Sequence, residues 1–377
     1  MGADPAQCGL KNLIQDLDPE RVPSAEPQAQ RKRLVIVGDV HGRLAQLQKL
    51  LQKINFDRSA GDHLVFTGDL VNKGPDIPGV VQLAIDLGAS AVRGNNEDRV
   101  LAAHGFLKSG RVSAAVDDNG GPGFEDSSKK MPEDIPFAIS SDYITATQLS
   151  DEHISWLSSL PLILRLGSLK GATSPPWNAG SIVVAHGGLV PLVPLEEQDP
   201  WAVMNMRSLV YPSEDPRPEA IQKALAKRTR VRLCRRAAFR GTKDEELDAE
   251  LSRVLGLPDD DQTFEIPQDN KNVPVPIEAK DGKLWRDAWN EAQNLIEAPE
   301  QRTVAVYGHD ARAGLQVQME VEIPDRLKET GVKGTWTRYA FGMDSGATYG
   351  NELSAMVIEP SPDMKDIVHR IEQVKET

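Results

Sequence analysis

The sequence predicts an α/β protein built on a parallel sheet, and three observations predict it. Apolar runs at residues 34–37, 64–67 and 91–93 have the length of short buried strands. Each is followed by glycine and then Asp or Asn, so each strand delivers a polar side chain to its C-terminal end. Segments with helical spacing alternate with them, which is the βαβ pattern.

The elements follow in order. Residues 1–30 are polar with scattered proline and read as a mobile lead-in. The first strand, residues 34–37, ends in Gly38-Asp39-Val40-His41-Gly42. Asp39 and His41 lie two apart and point the same way while a strand continues, which suits one cation. Leu44, Leu47, Leu50, Leu51 and Ile54 are spaced for the next helix. The second strand ends in Gly68-Asp69, followed by Leu70-Val71-Asn72-Lys73-Gly74. Residues 75–87 read as helix, with Pro75 near its start. The third strand leads into Gly94-Asn95-Asn96-Glu97 and a helix over 97–107.

Residues 108–143 lose the pattern in Gly-, Ser- and Asp-rich sequence, the mark of an insertion. Order returns over 150–160, a helix with Ser150 placed to cap it and Asp151 and Glu152 in its first turn. A strand at 181–185 leads into His186-Gly187-Gly188. A second insertion spans 211–283. It holds a basic stretch, 223–243, with nine Lys or Arg and no acid, then an acidic helix-like stretch at 244–255. Trp285 and Trp289, four apart, have the spacing of a helix face turned to a core. Residues 303–307 form a strand into Gly308-His309-Asp310, and 337–343 and 354–358 are strand-like. The organisation is one domain over 31–360, with insertions at 108–143 and 211–283, and a C-terminal tail at 361–377.

A chain of 377 residues, 40% hydrophobic, can bury a sizeable core. A net charge of −13 disfavours nonspecific binding to nucleic acid or anionic membrane. Cys8 and Cys234 are the two cysteines, too few for a disulfide framework or a thiolate zinc site. Any metal is therefore held by His, Asp, Asn or Glu. Such ligands favour manganese or magnesium and also fit zinc or iron. No stretch approaches a membrane-spanning helix, so a cytosolic or nuclear protein is the default expectation.

Asp39, His41, Asp69, Asn95, His186 and His309 all sit at strand-to-glycine turns, and three of the seven histidines are among them. Six ligands suffice for two divalent cations sharing one carboxylate. A metal pair clamps a phosphoryl group and lowers the pKa of water.

Gly38-Asp-Val-His-Gly42, Gly68-Asp-Leu-Val-Asn-Lys-Gly74, Gly94-Asn-Asn-Glu97, His186-Gly-Gly188 and Gly308-His309 resemble the five motifs of calcineurin-like metallophosphoesterases, closest to the phosphoprotein-phosphatase branch. Lys73-Gly-Pro75, Asp199-Pro-Trp-Ala-Val-Met-Asn-Met-Arg207, Tyr307-Gly-His-Asp-Ala-Arg312 and Gly342-Met-Asp-Ser-Gly346 are similar to the ApaH-like group. That group includes bacterial diadenosine tetraphosphatases and fungal zinc-dependent endopolyphosphatases. The resemblance covers residues 33–359 apart from the insertions. It implies a four-layer α/β/β/α sandwich with two central mixed sheets. It also implies two divalent metals: Asp39 and His41 on the first, Asp69 bridging, and Asn95, His186 and His309 on the second. Lys73 and Arg207 stand where the family binds phosphate, and both suit a transferring phosphoryl group. The fungal members add the vacuole as a compartment.

Two positions depart from the family. The phosphoprotein phosphatases pair an Asp with a His to protonate the leaving oxygen; here those positions are Asn72 and Asn96. An amide cannot deliver a proton at neutral pH. An alkoxide leaving from a phosphoester needs that proton far more than a phosphate leaving from an anhydride. The expected substrate is therefore a polyanionic phosphate. Inorganic polyphosphate ranks first, then a diadenosine polyphosphate or capped RNA, then a phosphoprotein. A scaffold that binds metal or phosphate without turnover is the non-enzymatic alternative. Asp98, Glu97 and His104 are the nearby groups that could replace the missing acid. Asn96 reads equally as a substrate contact or a helix cap. His104 reads as a helix-surface residue, and Arg207 has the alternative of a surface ion pair. The basic stretch reads as a solvated helix face, with a polyanion track as its alternative.

Overall fold

The computed structural model describes residues 13–108, 137–211 and 274–376. Cys8, Cys234 and the basic and acidic stretches at 223–243 and 244–255 lie outside the described residues.

Two mixed five-stranded sheets stack at the centre. The first has the order β15-β14-β2-β3-β4, built from β2 (Leu34–Val37), β3 (His63–Phe66), β4 (Ser90–Ala91), β14 (Glu352–Pro360) and β15 (Ile367–Lys375). Its β2, β3 and β4 run parallel, while β14 is antiparallel to β2 and β15 to β14. The second has the order β1-β5-β6-β10-β13, from β1 (Ile14–Asp16), β5 (Ile163–Gly167), β6 (Ser181–Ala185), β10 (Thr303–Tyr307) and β13 (Ala340–Gly342). Here β6, β10 and β13 are mutually parallel. A small antiparallel sheet joins β7 (Ser208–Val210), β8 (Val275–Ile277) and β9 (Lys283–Leu284), and a two-stranded ribbon joins β11 (Glu320–Val321) to β12 (Trp336–Thr337).

The alternation of a strand explains the layering. In β2, Leu34 and Ile36 join the core shared with the second sheet, while Val35 and Val37 join a separate core against helices. The same parity divides Val65 from Leu64 and Phe66 in β3, and Met356 and Ile358 from Ala355 and Val357 in β14. Helices α1 (Leu44–Lys53), α2 (Ile77–Asp86), α3 (Asn95–Lys108), α4 (Phe137–Gln148) and α5 (Asp151–Ser159) contribute to that second core. On the other side, α6 (Pro200–Asn205) and α7 (Trp285–Leu295) pack Trp201, Trp285 and Trp289 onto the second sheet. The order is helix, sheet, sheet, helix, the expected sandwich. A short helix, α8 (Asp325–Lys328), completes the described helices. None of them is long and apolar enough to cross a membrane.

Local chemistry sets the helix ends. Ser150 caps α5 by accepting from the His153 N–H at 3.2 Å. Asp76 caps α2 by accepting from Gly79 N–H at 2.8 Å, so that helix begins at Ile77 and not at the expected residue 75. Four expected boundaries differ. Residues 13–30, assigned to the lead-in, supply β1, which pairs with β5. Helix α4 lies partly within the expected insertion at 108–143, and β8 and β9 close within the one at 211–283. The 361–377 segment, expected as a tail, supplies β15, paired with β14 from Pro360↔Ile367 to Glu352↔Lys375.

Asp366 pins this last hairpin to the loop after β5. Its Oδ1 accepts from Thr173 N–H and Ile367 N–H, each at 2.8 Å. Burial would raise its pKa, but Ser174, Thr173 and Ile367 outweigh it and bring it to about 2. The folded value lies below the unfolded one, so this stabilisation is present above pH 4 and is lost as pH falls through about 2. Asp366→Ala should cost about 1 kcal/mol at neutral pH after allowance for solvent screening. In denaturant titrations the gap from wild type should close between pH 4 and 2; a gap independent of pH contradicts the assignment.

Candidate active site

Six strand ends open onto one rim. Asp39 and His41 follow β2, Asp69 follows β3, Asn95 follows β4, His186 follows β6, His309 follows β10, and Asp344 follows β13. A cavity of about 500 Å³ opens there, lined by Asp39, His41, Asp69, Asn95, His309 and Asp344 among others, with His186 wholly buried beside Asp69. The turns are tight. His41, Asp69, Asn72, Lys73 and His309 have φ of +47°, +53°, +67°, +67° and +69°. Side chains seldom adopt this left-handed conformation, and it gathers at sites where surrounding bonds hold it. A Cβ on Gly94 would overlap Asp69 Oδ1, and one on Gly308 would overlap Asp39 Oδ1, so glycine there lets backbone touch carboxylate.

All six expected ligands come together. Single ligand atoms of Asp39, Asp69 and His186 lie within 4.8 Å of one another. His41 Nε2 is 3.5 Å from Asp69 Oδ2 and His186 Nε2 is 3.3 Å from Asp69 Oδ1, which places Asp69 at the centre. The His309 ring lies edge-on to His186 with centroids 5.0 Å apart, and the His309 backbone N–H donates to Asp39 Oδ2 at 3.0 Å. The Asn95 amide either turns its oxygen inward, 3.0 Å from His186 Nε2, or turns its nitrogen inward and accepts from Arg99 Nη1 at 2.9 Å.

The imidazoles are oriented by backbone carbonyls. His41 Nδ1 lies 2.9 Å from Val71 O, His186 Nδ1 2.8 Å from Thr67 O, and His309 Nε2 3.1 Å from Asn205 O. A carbonyl only accepts, so these nitrogens carry the hydrogens and the opposite nitrogen faces the site. Burial lowers His41 to about 4 and holds His309 well below the usual histidine range, so both keep lone pairs at neutral pH. Burial and then the carboxylates of Asp344 and Asp69 push Asp39 well above the usual range. Burial would raise Asp69 too, but His186, His41 and Lys73 outweigh it and hold it well below. Crowded buried carboxylates facing imidazole lone pairs make a donor set that fits hard or borderline divalent cations.

Lys73, Arg207 and Asn96 line the same cavity. Lys73 Nζ donates to His41 Nε2 at 2.9 Å. Arg207 donates to His309 O at 3.3 Å and pairs with Glu278 at 3.7 Å, so it belongs to the rim even though it makes an ion pair. Asn96 is not a helix cap. Its backbone N–H donates to Asp69 Oδ1 at 3.0 Å, and its side chain donates to Asp69 Oδ2 while accepting from Arg99. Asn72 donates to Asn96 Oδ1 at 3.1 Å and to Asp142 Oδ1 at 2.6 Å, and accepts from Thr145 Oγ1 at 2.6 Å. The asparagine pair thus forms a buried hydrogen-bond chain ending on Asp69.

None of the groups considered for the missing acid faces the cavity. Glu97 spends its carboxylate on the N–H groups of Asp69, Leu70, Val71 and Gly94. Asp98 lies 3.8 Å from Arg93, and His104 is not among the lining residues. Sequence reasoning assigned no role to Asp142, Thr145, Arg99 or Asp344. Asp344 had a visible signal, a sixth strand-to-glycine turn in Gly342-Met-Asp-Ser-Gly346. Asp142 and Thr145 had none, because α4 reaches the site across the expected insertion.

Sandwich and site together define a metallophosphoesterase. A family model described as calcineurin-like phosphoesterase matches residues 32–332, and the chain belongs to that family. It is 32% identical over 156 residues to the symmetrical bis(5'-nucleosyl)-tetraphosphatase of Methylococcus capsulatus, covering 40% of this chain and 47% of that protein. It is 33% identical over 159 residues to the protein of the same name from Pectobacterium carotovorum, covering 41% and 43%. The chain thus spans just under half the length of these curated relatives. A crystal structure of a candidate diadenosine tetraphosphatase superposes with a TM-score of 0.52 at 25% identity, covering 97% of this chain and 98% of that one.

Proposed function

We propose that this protein hydrolyses phosphoanhydride bonds in nucleoside polyphosphates, using two divalent cations. Asp39, His41 and Asp69 would hold the first ion; Asp69, Asn95, His186 and His309 would hold the second. When bound, such a pair supplies Lewis-acid charge at phosphorus and lowers the pKa of water. The chain's own residues do the rest. Lys73 and Arg207 offset charge on the phosphoryl oxygens. Asn96 fixes both oxygens of Asp69. Manganese or magnesium suits this oxygen- and nitrogen-rich set, with zinc or iron as alternatives.

The observation that carries the reading is the Asn72–Asn96 pair. Both amides are committed to Asp69, Asp142, Thr145 and Arg99, and neither supplies a proton. General-acid catalysis is typically worth about 10²–10⁴-fold, so its absence penalises alkoxide departure and spares phosphate departure. Inorganic polyphosphate ranks first from the sequence alone; we rank dinucleoside polyphosphates ahead of it because the names of the relatives support that reading. Polyphosphate stays as the second reading because Lys73, Arg99, Arg207, Lys280 and Arg312 all line the cavity. The test is a panel of diadenosine tetraphosphate, long-chain polyphosphate, capped RNA and a phosphoserine peptide with manganese-loaded protein. Diadenosine tetraphosphate should exceed the peptide in kcat/KM by roughly 10²-fold or more. A peptide cleaved faster than any anhydride overturns the reading.

A further inference from the structure

Phosphate recognition explains the cations of the cavity but not the aromatic ring at its mouth. Tyr349 lines the cavity and is 68% exposed. The other large apolar side chains exposed among the described residues, such as Leu192 and Leu295, do not line it.

The ring stands on a fastened turn. Ala347–Tyr349 is a single 3₁₀ turn between Gly346 and Gly350, whose φ values of +79° and +80° need glycine. Ala347 is buried in the core beneath it. Gly346 N–H donates to Asp344 Oδ1 at 3.0 Å, Arg43 Nη2 to Thr348 O at 3.1 Å, and Gln46 Nε2 to Asn351 O at 3.2 Å. Asp344 in turn abuts Asp39, so the turn is tied directly to the ligand cluster. Opposite charge alone recognises a polyphosphate chain and makes no use of an aromatic face. A nucleobase does: its π-face stacks on Tyr in a way that tolerates any base, and a Tyr side chain on a fastened backbone has only two rotatable angles to lose in binding.

Building on the phosphoanhydride reading above, we propose that Tyr349 is a stacking platform for a nucleobase. It sets the preference for nucleoside polyphosphates over bare polyphosphate. The chemistry it selects is a purine or pyrimidine ring joined to a chain of phosphates long enough to reach the cluster at Asp69.

The test compares two ligands that cannot be cleaved, a methylene-bridged diadenosine tetraphosphate and a methylene-bridged tripolyphosphate. Dissociation constants are measured calorimetrically on manganese-loaded wild type, Tyr349→Ala, Tyr349→Phe and Tyr349→Trp. The preference for the adenosine-bearing ligand should fall roughly 5- to 100-fold in Tyr349→Ala and return in Tyr349→Phe and Tyr349→Trp. An unchanged ratio in Tyr349→Ala, or a loss that Phe and Trp do not restore, overturns the proposal. Turnover of the cleavable parents separates this from the wider reading. A shifted ratio without turnover keeps the platform and removes the hydrolase, whereas turnover with an unshifted ratio does the reverse.

Discussion

Replacing Asp69 with Asn should lower anhydride turnover by roughly 10³-fold or more. The expectation rests on position. Asp69 lies within 3.5 Å of both His41 Nε2 and His186 Nε2, and one of its oxygens falls within 4.8 Å of ligand atoms of Asp39 and His186. In the proposed site it is the carboxylate that both ions would share. Charge stabilisation by a metal pair is worth several kcal/mol, and each 1.36 kcal/mol is tenfold in rate. The fold should survive, because an amide oxygen at position 69 still accepts from the Asn96 N–H. Steady-state kinetics with circular dichroism separate the two effects. Activity within tenfold of wild type in a folded Asp69→Asn protein would falsify the shared-carboxylate role.

The second large effect is structural. Glu97 is wholly buried and accepts from Asp69 N–H at 2.8 Å, Leu70 N–H at 2.7 Å, Val71 N–H at 3.2 Å and Gly94 N–H at 2.8 Å. Those bonds hold the turn in which Asp69, Asn72 and Lys73 all have positive φ. Burial, then the neighbouring Asp69, raises its pKa, so the carboxylate sits there at a cost that the four donors offset. Glu97→Ala leaves four buried N–H groups without an acceptor and should destabilise the protein by about 3–5 kcal/mol. Glu97→Gln keeps the volume but turns an amide nitrogen toward donors, so it should restore only part of that loss. Denaturant midpoints measure both; a loss under about 1 kcal/mol for Glu97→Ala contradicts the bracing role.

The legible part of the site was the part written in short-range chemistry. Apolar runs closed by glycine announce strand ends, and Asp39, His41, Asp69, Asn95, His186 and His309 stand at those ends, which the fold gathers at one rim. Arg207 and Lys73 followed from the family motifs. The bracing residues were illegible for a physical reason. Glu97 looks like an ordinary acid in a first helical turn, and only the fold reveals that its oxygens point at the preceding strand's turn. Asp142 meets Asn72 across 70 residues of sequence, so spacing carries no trace of the pairing. The fold was read with the same bias. The β2–β3–β4 half is evident from its regular crossovers, whereas β15, a half-buried edge strand, lacks the continuous apolar run that would mark it in sequence. The apolar residues of β5, which lie between β1 and β6 in the second sheet and join its core, carry no turn with Asp, Asn or His to announce them.

The asparagines at 72 and 96 also take on a sharper meaning. In sequence they are losses relative to a phosphatase acid pair. In the fold they are a fully bonded chain from Thr145 and Asp142 to Asp69, which exchanges proton delivery for a fixed carboxylate. That exchange suits a leaving group that departs as a stable anion.

The central claim is a site for two cations that shares Asp69, and metal counting tests it most directly. Metal-stripped protein is titrated with manganese under native mass spectrometry while hydrolysis of diadenosine tetraphosphate is followed in parallel. The account predicts saturation at two ions per chain, with turnover rising as the second site fills. Saturation at a single ion, or full turnover in the presence of excess chelator, would contradict it.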